Sequence, residues 1–570
     1  MDFPVLSLVT FLPMAGLPLV LLIPRRLPGT VKGLTLAIML VTFLVSLKLY
    51  FGFDPDQAGM QLVEDHAWIG TSIHYKVGVD GLSLLLVLLT TFLAPIAYLG
   101  AWTSIQEKVH EFAASLLVLQ TAMVGTFLAM DLFLFYVFWE LMLIPMYLII
   151  GVWGGERRIY ATLKFVLFTM AGSILMLVAI LFLYFKSGGD TFDYSVWVSI
   201  FTGEGTVGQL SKLEQVLCFL AFALAFAIKV PLFPLHTWLP DAHVEAPTTG
   251  SVILAGVLLK MGTYGFLRFA IPFFPDAAAL LSAPLMGLSV VGIVYGALVA
   301  FAQEDVKKLV AYSSVSHLGF VMLGMFALTP EGVSGSILQM VNHGLSTGAL
   351  FLCVGFLYER RHTRLMEQFG GIARVMPVFT AVFVLVSLSS IGLPGTNGFV
   401  GEFLILTGVF REGIGSVIEP GNLLSWRNLV LVLGIVATSG VILGAVYMLT
   451  MVRRMMFGPI TVEKNRSLTD LNLREVVVIL PVLAFIVIIG IAPGLFLDKT
   501  RASVDEYVRT WQPRIMQARN EATARRNDEV REQIIRMQVL NALQGGGQAT
   551  NLEGLKWYVV PPEEQGGNHE

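Results

Sequence analysis

Several ionisable side chains lie within long apolar stretches of the sequence, where little water is available to stabilise a charge, and six of them could share one function. The six are two glutamates, two lysines and two histidines: Glu140, Lys229, Lys260, His317, His343 and Glu402. A charged side chain at the centre of a bilayer costs at least about 2.5–3.5 kcal/mol on insertion scales. Residues of this kind mark ion pathways and proton relays in membrane proteins, so these six are the candidate functional residues.

The chemistry that these residue types share is proton transfer. Burial disfavours the charged form of a lysine and a nearby carboxylate favours it, so a change in their separation makes the lysine take up or release a proton. Histidine exchanges protons near neutral pH because its ordinary pKa is about 6.5. Together the six residues have the composition of a proton relay.

Each candidate also has a structural interpretation, which the sequence leaves open. Glu140 and Lys229 could form a purely structural ion pair, Lys260 could extend its amine toward the membrane surface, and the two histidines could simply bond to neighbours. A further group of possible ligands follows Lys229, namely His236, Asp241, His243 and Glu245. Its spacing matches no metal site, so a capped loop framed by prolines is the favoured interpretation.

The composition indicates what kind of element positions these residues. Of 570 residues, 55% are apolar and 14% charged, whereas soluble proteins have about 25% charged residues; the mean hydropathy is +0.75. A formal net charge of −3 provides no basic surface for nucleic acid. Cys218 and Cys353 both lie in apolar stretches, which excludes a disulfide framework, a cysteine-bound zinc and an iron–sulfur cluster. We therefore predict a polytopic membrane protein.

A helix needs about 20 mostly apolar residues to cross a bilayer. The sequence contains fourteen such stretches, near residues 4–24, 33–52, 79–101, 111–130, 132–153, 162–185, 213–230, 250–272, 279–301, 308–328, 334–358, 375–412 (interrupted), 428–452 and 476–498. The predicted fold is all-α, with about fourteen transmembrane helices.

Lysine and arginine in the loops predict the orientation of these helices. The odd-numbered loops hold 18 of these cations and the even-numbered loops five. Because loops rich in lysine and arginine stay in the cytoplasm, both chain termini are predicted to lie on the non-cytoplasmic side. Residues 499–536 hold nine cations on that side, but a long tail crosses the membrane largely regardless of its charge.

Two predicted helices are interrupted in mid-membrane. The seventh contains Pro231 and Pro234, and the twelfth contains Gly392, Pro394 and Gly395 in close succession. Broken backbone at membrane depth is tolerated where it lines a cavity or is buried in protein. The breaks place Lys229 at the negative end of one half-helix and Glu402 near the positive end of another, which is the favourable side for each charge.

The positions of the breaks predict an internal repeat. If helices 4–8 and 9–13 form two units, each break falls in the fourth helix of its unit, and the second unit is inverted because five is odd. Inverted repeats with discontinuous helices are typical of transporters; two unrelated proline kinks are the alternative. The chain then divides into the first three helices, the first repeat, the second repeat, helix 14 and a charged C-terminal extension: 1–110, 111–272, 279–455, 476–498 and 503–570.

The start of this extension has apolar residues on one helical stripe. They are Val504, Tyr507, Val508, Trp511, Ile515 and Met516. An amphipathic helix of this kind docks on a partner subunit or on the membrane surface, and we predict such a helix here. A disordered appendage is the alternative.

Several motifs resemble those of the antiporter-like membrane subunits of respiratory complex I. The stretch from Lys229 to Pro247, continuing to Lys260, resembles the signature of the whole group. Glu402 distinguishes the subunit M type, the counterpart of mitochondrial subunit 4, because related subunits have a lysine there. The same type is indicated by the motifs at 311–317, 342–344, 358–364 and 393–403. The resemblance covers roughly residues 1–500.

The resemblance implies a fold of fourteen helices with two inverted five-helix repeats. It also implies a role for each candidate: an ion pair of Glu140 with Lys229, a central connecting lysine at Lys260, and an exit carboxylate at Glu402. His317 and His343 match channel positions of the second repeat. The implied function is proton translocation within NADH:quinone oxidoreductase, driven by redox chemistry in other subunits.

No cofactor and no metal are expected in this chain by the same resemblance. NADH, FMN, the iron–sulfur clusters and quinone belong to partner subunits, and the nearest partners are neighbouring antiporter-like subunits and membrane lipid. The expected location is an energy-conserving membrane, the inner membrane of a bacterium. The alternatives are a subunit of a multi-subunit sodium/proton antiporter, a subunit of a ferredoxin- or hydrogenase-linked relative, and an inert scaffold.

Overall fold

The computed structural model describes residues 4–203, 208–414 and 425–543, and these residues are mainly helical. In chain order the elements are α1 Val5–Leu22, α2 Pro28–Gly52, β1 Gln61–Ile69, β2 Ile73–Val79, α3 Leu84–Gly100, α4 Val109–Leu128, α5 Leu132–Leu141, α6 Leu143–Trp153, α7 Arg158–Lys186, α8 Tyr194–Thr202, α9 Lys212–Lys229, α10 Trp238–Glu245, α11 Thr248–Phe273, α12 Pro275–Phe301, α13 Val306–Ala327, α14 Pro330–Arg361, α15 Pro377–Ile391, α16 Asn397–Ile414, α17 Trp426–Met456, α18 Leu473–Ile491 and α19 Gly494–Leu543. Short 3₁₀ turns lie at Met366–Gln368, Ile372–Arg374 and Glu463–Asn465.

The chain is a multi-pass membrane protein of the predicted all-α class. Within the described ranges, eleven spans are long and apolar enough to cross a membrane, or twelve if the sharply bent pair Met366–Arg374 and Pro377–Ile391 forms one span. Each of the fourteen predicted stretches contains a helix, and the fifth is divided at Met142. The number of crossings and the inverted repeats stay predictions.

A β-hairpin precedes α3 and was not predicted. β1 and β2 pair antiparallel, with Asp65 opposite Lys76 and His66 opposite Tyr75. Glu64 fixes the hairpin to the start of α1, where its carboxylate accepts the backbone N–H of Leu6 at 2.8 Å and of Ser7 at 3.1 Å. Glu64 and Asp65 gave this segment the polar composition of a loop. In the structure both residues lie in β1.

The loops gather at two ends of the bundle, as the alternation of loop charge predicts. At the end that carries β1 and β2, here called the hairpin end, the N–H of Met130 donates to the Lys76 carbonyl and that of Leu132 to the Phe192 carbonyl, both at 2.9 Å. At the opposite end, the N–H of Gly155 donates to the Glu245 carbonyl at 2.9 Å. The predicted loops 2, 4 and 6 thus meet at the hairpin end, and loops 5 and 7 meet at the other.

The C-terminal helix α19 lies across the hairpin end and packs against α12 and α14. The predicted stripe is present, and its buried members are Val504, Tyr507, Val508, Trp511 and Ile515. These side chains pack on helices of this chain, so the prediction that they dock on a partner subunit or the membrane surface was wrong. The part of the extension at 544–570 lies outside the described residues.

The two predicted helix breaks are present. α9 ends at Lys229 and α10 begins at Trp238, whose indole N–H donates to the Ile228 carbonyl at 2.9 Å and so satisfies an acceptor near the break. Between α15 and α16, Gly392 has a φ of +82° and Gly395 one of +88°, backbone that favours glycine. A Cβ on Gly398 would lie 2.1 Å from the Ser389 carbonyl oxygen, so only glycine fits at the restart of the helix.

Helix α11, which carries Lys260, is irregular in a way that the sequence did not indicate. Two π-helical segments, Leu254–Leu258 and Phe266–Ala270, flank the central α-helical turns Leu259–Gly265. The apolar window of this span is entirely buried inside the protein. π-Helical turns inside helices occur frequently at functional sites, which directs attention to Lys260.

Candidate functional site

Four of the six predicted residues form one buried chain of contacts. The Lys260 ammonium donates to the Ala255 carbonyl, and its Nζ lies 2.6 Å from His343 Nδ1. The His343 and His317 rings are 5.8 Å apart between centroids. His317 Nδ1 lies 3.0 Å from Glu402 Oε1, which ends the chain. All four residues are at most 7% exposed.

Helix α14 organises the far end of this chain. It presents Gln339, Asn342 and His343 at the i, i+3, i+4 spacing that puts side chains on one helical face. The Gln339 amide donates to Glu402 Oε1 at 3.1 Å, and the Asn342 amide donates to the Asn397 carbonyl at 2.7 Å. Gln339 and Asn342 were not predicted, and they hold the restarting helix α16 in place.

Glu402 benefits from its position in the second turn of α16. Its carboxylate lies beside the break, since a Cβ placed on Gly392 would be 3.1 Å from its Oε2. The N-terminal end of a helix carries a partial positive charge that stabilises an anion. The predicted favourable placement of this carboxylate is therefore present in the structure.

Glu140 and Lys229 are near each other but do not form the predicted contact ion pair. Lys229 is 2% exposed, and its Nζ lies over the Trp139 ring, 5.0 Å from the centroid, and 6.0 Å from that of Phe165. Glu140 is within electrostatic range of this ammonium, but its buried Oε1 has no hydrogen-bond partner among the described residues. The aromatic face attracts the cation and holds it away from the carboxylate.

His243 lies in the interior, although the sequence analysis assigned it to a capped loop. Its ring is fully buried and stacks on Phe351 at 4.6 Å between centroids. Neither ring nitrogen has a partner in the described part of the chain, and Lys260 and Lys307 are within electrostatic range. The signal was available, because His243 lies inside the motif on which the family resemblance rests.

The other residues of that group have structural roles. Asp241 forms an ion pair with Lys164 at 2.7 Å, and a Glu245 oxygen accepts the backbone N–H of Arg157 at 2.9 Å. His236 packs its ring against Phe233 and Tyr295. In the ranges that the structure describes, no three residues of the types His, Cys, Asp and Glu are placed to hold a metal.

Further buried polar atoms without protein partners lie in the helices around the candidate residues. Within the described ranges they include side-chain atoms of Gln120, Thr121, Asn342, His343, Thr347 and Ser387. Buried polar groups are nearly always hydrogen-bonded, and internal water is the usual partner where protein offers none. The interior is thus suited to hold the water that proton transfer needs between side chains.

Comparison with known proteins identifies the family. Residues 129–419 match the family model described as NADH:quinone oxidoreductase/Mrp antiporter, TM. The chain is also 46% identical, over 516 residues, to NADH-quinone oxidoreductase subunit M of Rhodobacter capsulatus, covering 89% of this chain and 96% of that relative. This chain belongs to the subunit M family. The resemblance predicted from its motifs is confirmed.

Solved structures of related complexes contain chains with a similar fold. A chain of respiratory complex I from Thermus thermophilus with bound NADH is 33% identical, with a TM-score of 0.77 over 88% of this chain and 99% of that chain. A chain of the Mrp complex from Dietzia sp. DQ12-45-1b is 20% identical, with a TM-score of 0.73 over 89% of this chain and 55% of that chain. The second likeness concerns the fold alone.

Proposed function

We propose that this chain translocates protons across the membrane as a subunit of an NADH:quinone oxidoreductase. The observation that carries the proposal is the buried contact chain from Lys260 through His343 and His317 to Glu402. Each member binds and releases protons, and each lies close enough to the next for direct or water-mediated transfer. The 46% identity to a relative named subunit M supports the assignment to this enzyme.

Protons enter this route at Lys229. Because Glu140 does not contact Lys229, it stabilises the Lys229 ammonium only weakly. A closer approach of the carboxylate would stabilise the ammonium more strongly. Repeated approach and separation would therefore load and unload Lys229. The proton then passes by way of His243 and internal water to Lys260, where the transfer chain of the second repeat begins.

Redox chemistry elsewhere in the enzyme supplies the energy in this proposal. NADH, FMN, the iron–sulfur clusters and quinone would be held by partner subunits, and this chain would hold none of them. Its charges would respond to movements transmitted through neighbouring antiporter-like subunits. The membrane would be the inner membrane of a bacterium, with protons delivered to the non-cytoplasmic side.

The test is proton transport by the purified complex that contains this chain, reconstituted in sealed vesicles. NADH and a short-chain quinone are expected to drive acidification of the lumen in sodium-free buffer. Acidification that needs a sodium gradient and ignores NADH would instead assign the chain to a sodium/proton antiporter, the alternative whose fold is shared at 20% identity.

Both termini are proposed to lie on the non-cytoplasmic side, which a labelling experiment tests. The native cysteines are buried, so a single cysteine at exposed Ala524 in α19 reports on the hairpin end. In intact cells with a permeabilised outer membrane, an impermeant maleimide is expected to label the Ala524→Cys variant. The matched variant Ser467→Cys, exposed at the opposite end, should react only after lysis. The reverse pattern would contradict the proposed orientation.

A further inference from the structure

Arg268 of α11 forms a buried ion pair with Asp80. This pair lies closer to the hairpin end than Lys260 does. One terminal nitrogen of Arg268 lies 2.6 Å from each oxygen of Asp80, the residue that precedes the first turn of α3. Both residues are 4% exposed. Eight residues separate Arg268 from Lys260, which corresponds to roughly 12 Å along a helix. The pair therefore lies between the central lysine and the hairpin end.

The Asp80 carboxylate, the Arg268 Nε and the Tyr264 hydroxyl are all hydrogen-bonded, whereas the nearby Tyr507 hydroxyl has no partner among the described residues. Asp80 Oδ1 also accepts the backbone N–H groups of Leu82 at 3.0 Å and Ser83 at 3.1 Å. Arg268 Nε donates to the Tyr264 hydroxyl at 3.1 Å, which donates to the Phe127 carbonyl at 3.0 Å. Hydrogen bonds from the turn before α3 and from α11 therefore hold both charged groups in place.

Aromatic rings and the C-terminal helix enclose the pair. The guanidinium lies 5.7 Å from the Tyr194 ring centroid, and that ring packs on Phe269 and Phe273. Ser503 of α19 accepts the N–H of Gly81 at 3.0 Å. A Cβ on Gly81 would lie 2.8 Å from the Lys499 carbonyl oxygen, so glycine is what lets α19 approach this closely.

We propose that the Asp80–Arg268 pair seals the first repeat at the hairpin end, so that a proton that has reached Lys260 can pass onward only through His343. The inference rests on the proposed function, because it assumes that Lys260 carries protons. A guanidinium keeps its proton under all ordinary conditions, and a fixed cation in a narrow passage repels other cations and protons. With the hairpin end sealed, protons pass from Lys260 of the first repeat to His343 of the second, and the two repeats then form one continuous route.

In a seal, Arg268 and Asp80 have different roles, whereas in a purely structural ion pair they are equivalent. Variants of the two residues therefore distinguish a seal from a structural pair. Arg268→Gln removes the fixed cation and leaves the Asp80 carboxylate free to bind protons beside Tyr264. Asp80→Asn removes the carboxylate and leaves the cation, which still repels protons. A structural pair would be damaged alike by both changes, since each leaves one buried charge without its partner.

The experiment measures passive proton leak through the purified complex in vesicles, without NADH. A pH jump is applied and its decay is followed with an entrapped dye. Arg268→Gln is expected to accelerate the decay by at least about tenfold, because removing a fixed cation from the membrane interior lowers the barrier that a second cation meets. Asp80→Asn and the rescue variant Arg268→Lys are expected to stay near the wild-type rate. Adding Lys260→Met to Arg268→Gln should close the leak.

A matched control is available at the opposite end, where Arg360 donates to both oxygens of Glu475 at 2.6 and 2.7 Å. Arg360→Gln should leave the vesicles tight. A tight Arg268→Gln complex, equal leaks in Arg268→Gln and Asp80→Asn, or a leak that survives Lys260→Met would each overturn the seal. If Arg268→Gln does not assemble, Tyr507→Ala decides: its buried hydroxyl lies within electrostatic range of Arg268, so a leak supports the seal and a tight complex overturns it.

These outcomes are separate from the fate of the proposed function. NADH-driven pumping that survives Lys260→Met would remove the premise that this lysine carries protons. The passive leak is measured without turnover, so a leak confined to Arg268→Gln would still locate a barrier at this pair. Intact pumping through Lys260 with no leak in any variant would overturn the seal alone.

Discussion

Replacing Lys229 by methionine is expected to reduce proton pumping and coupled quinone reduction together, by at least about tenfold, because a positioned acid–base group typically contributes 10²-fold or more to its step. Methionine fills a similar volume beside Trp139 and Phe165 but carries no proton. Glu140 would then have no partner whose charge it could control. Both activities fall because electron transfer in a coupled enzyme waits for proton transfer.

Lys32 provides the matched control for this experiment. It is also a buried lysine, 8% exposed, and its Nζ donates to the Trp102 carbonyl at 2.8 Å, remote from the relay. The Lys32→Met complex should pump at close to the wild-type rate. If Lys229→Met assembles normally and also pumps at that rate, the Glu140–Lys229 arrangement has only a structural role.

Replacing Glu402 by glutamine is expected to lower pumping several-fold, while aspartate retains more of it. Glutamine keeps the size of the side chain and can still bond to His317 and Gln339, but it does not titrate. Aspartate titrates, although it is one methylene shorter. In the proposed route the native carboxylate accepts a proton from His317, whose Nδ1 lies 3.0 Å from Glu402 Oε1, and passes it on.

The measurement for these variants is the proton-to-electron ratio and the turnover rate in reconstituted vesicles. Glu331→Gln is a suitable control, because this carboxylate pairs with Arg411 at 2.5 Å at the hairpin end and takes no part in the chain of contacts. A Glu402→Gln complex indistinguishable from wild type would remove Glu402 from the route. The exit would then have to be sought among the histidines.

The sequence alone was sufficient to predict the membrane class and the helix breaks. It also indicated six candidate residues, four of which the structure places in one chain of contacts. Apolar stretches specify helices because the bilayer requires internal backbone hydrogen bonds. Prolines and glycines mark the breaks through backbone geometry that acts locally. Glu402 beside Gly392 is an example, since the motif itself brings the two together.

Contacts between distant segments could not be predicted in the same way. Lys260 and His343 are 83 residues apart, and their contact depends on how α11 packs against α14. The separation of Glu140 from Lys229 depends on the rotamer of a lysine above an aromatic ring. The burial of His243 follows from the position of Phe351, far along the chain.

The C-terminal stripe illustrates the same limit. Its spacing predicted an amphipathic helix, and α19 has that form, but periodicity does not specify what covers the apolar face. Gly81 decides this, because the absence of a side chain there lets α19 pack directly on the turn before α3. The spacing of apolar residues therefore could not predict that the apolar face of α19 packs on its own chain.

The most direct test of the relay is proton transport by the Lys260→Met complex, measured with coupled NADH oxidation in the same vesicles. If the first repeat delivers protons to the second through Lys260 and His343, both rates should fall at least about tenfold, as for loss of any essential acid–base group. The Lys32→Met complex should be unaffected. A Lys260→Met complex that assembles and moves the wild-type number of protons per electron at the wild-type rate would contradict a relay through this lysine.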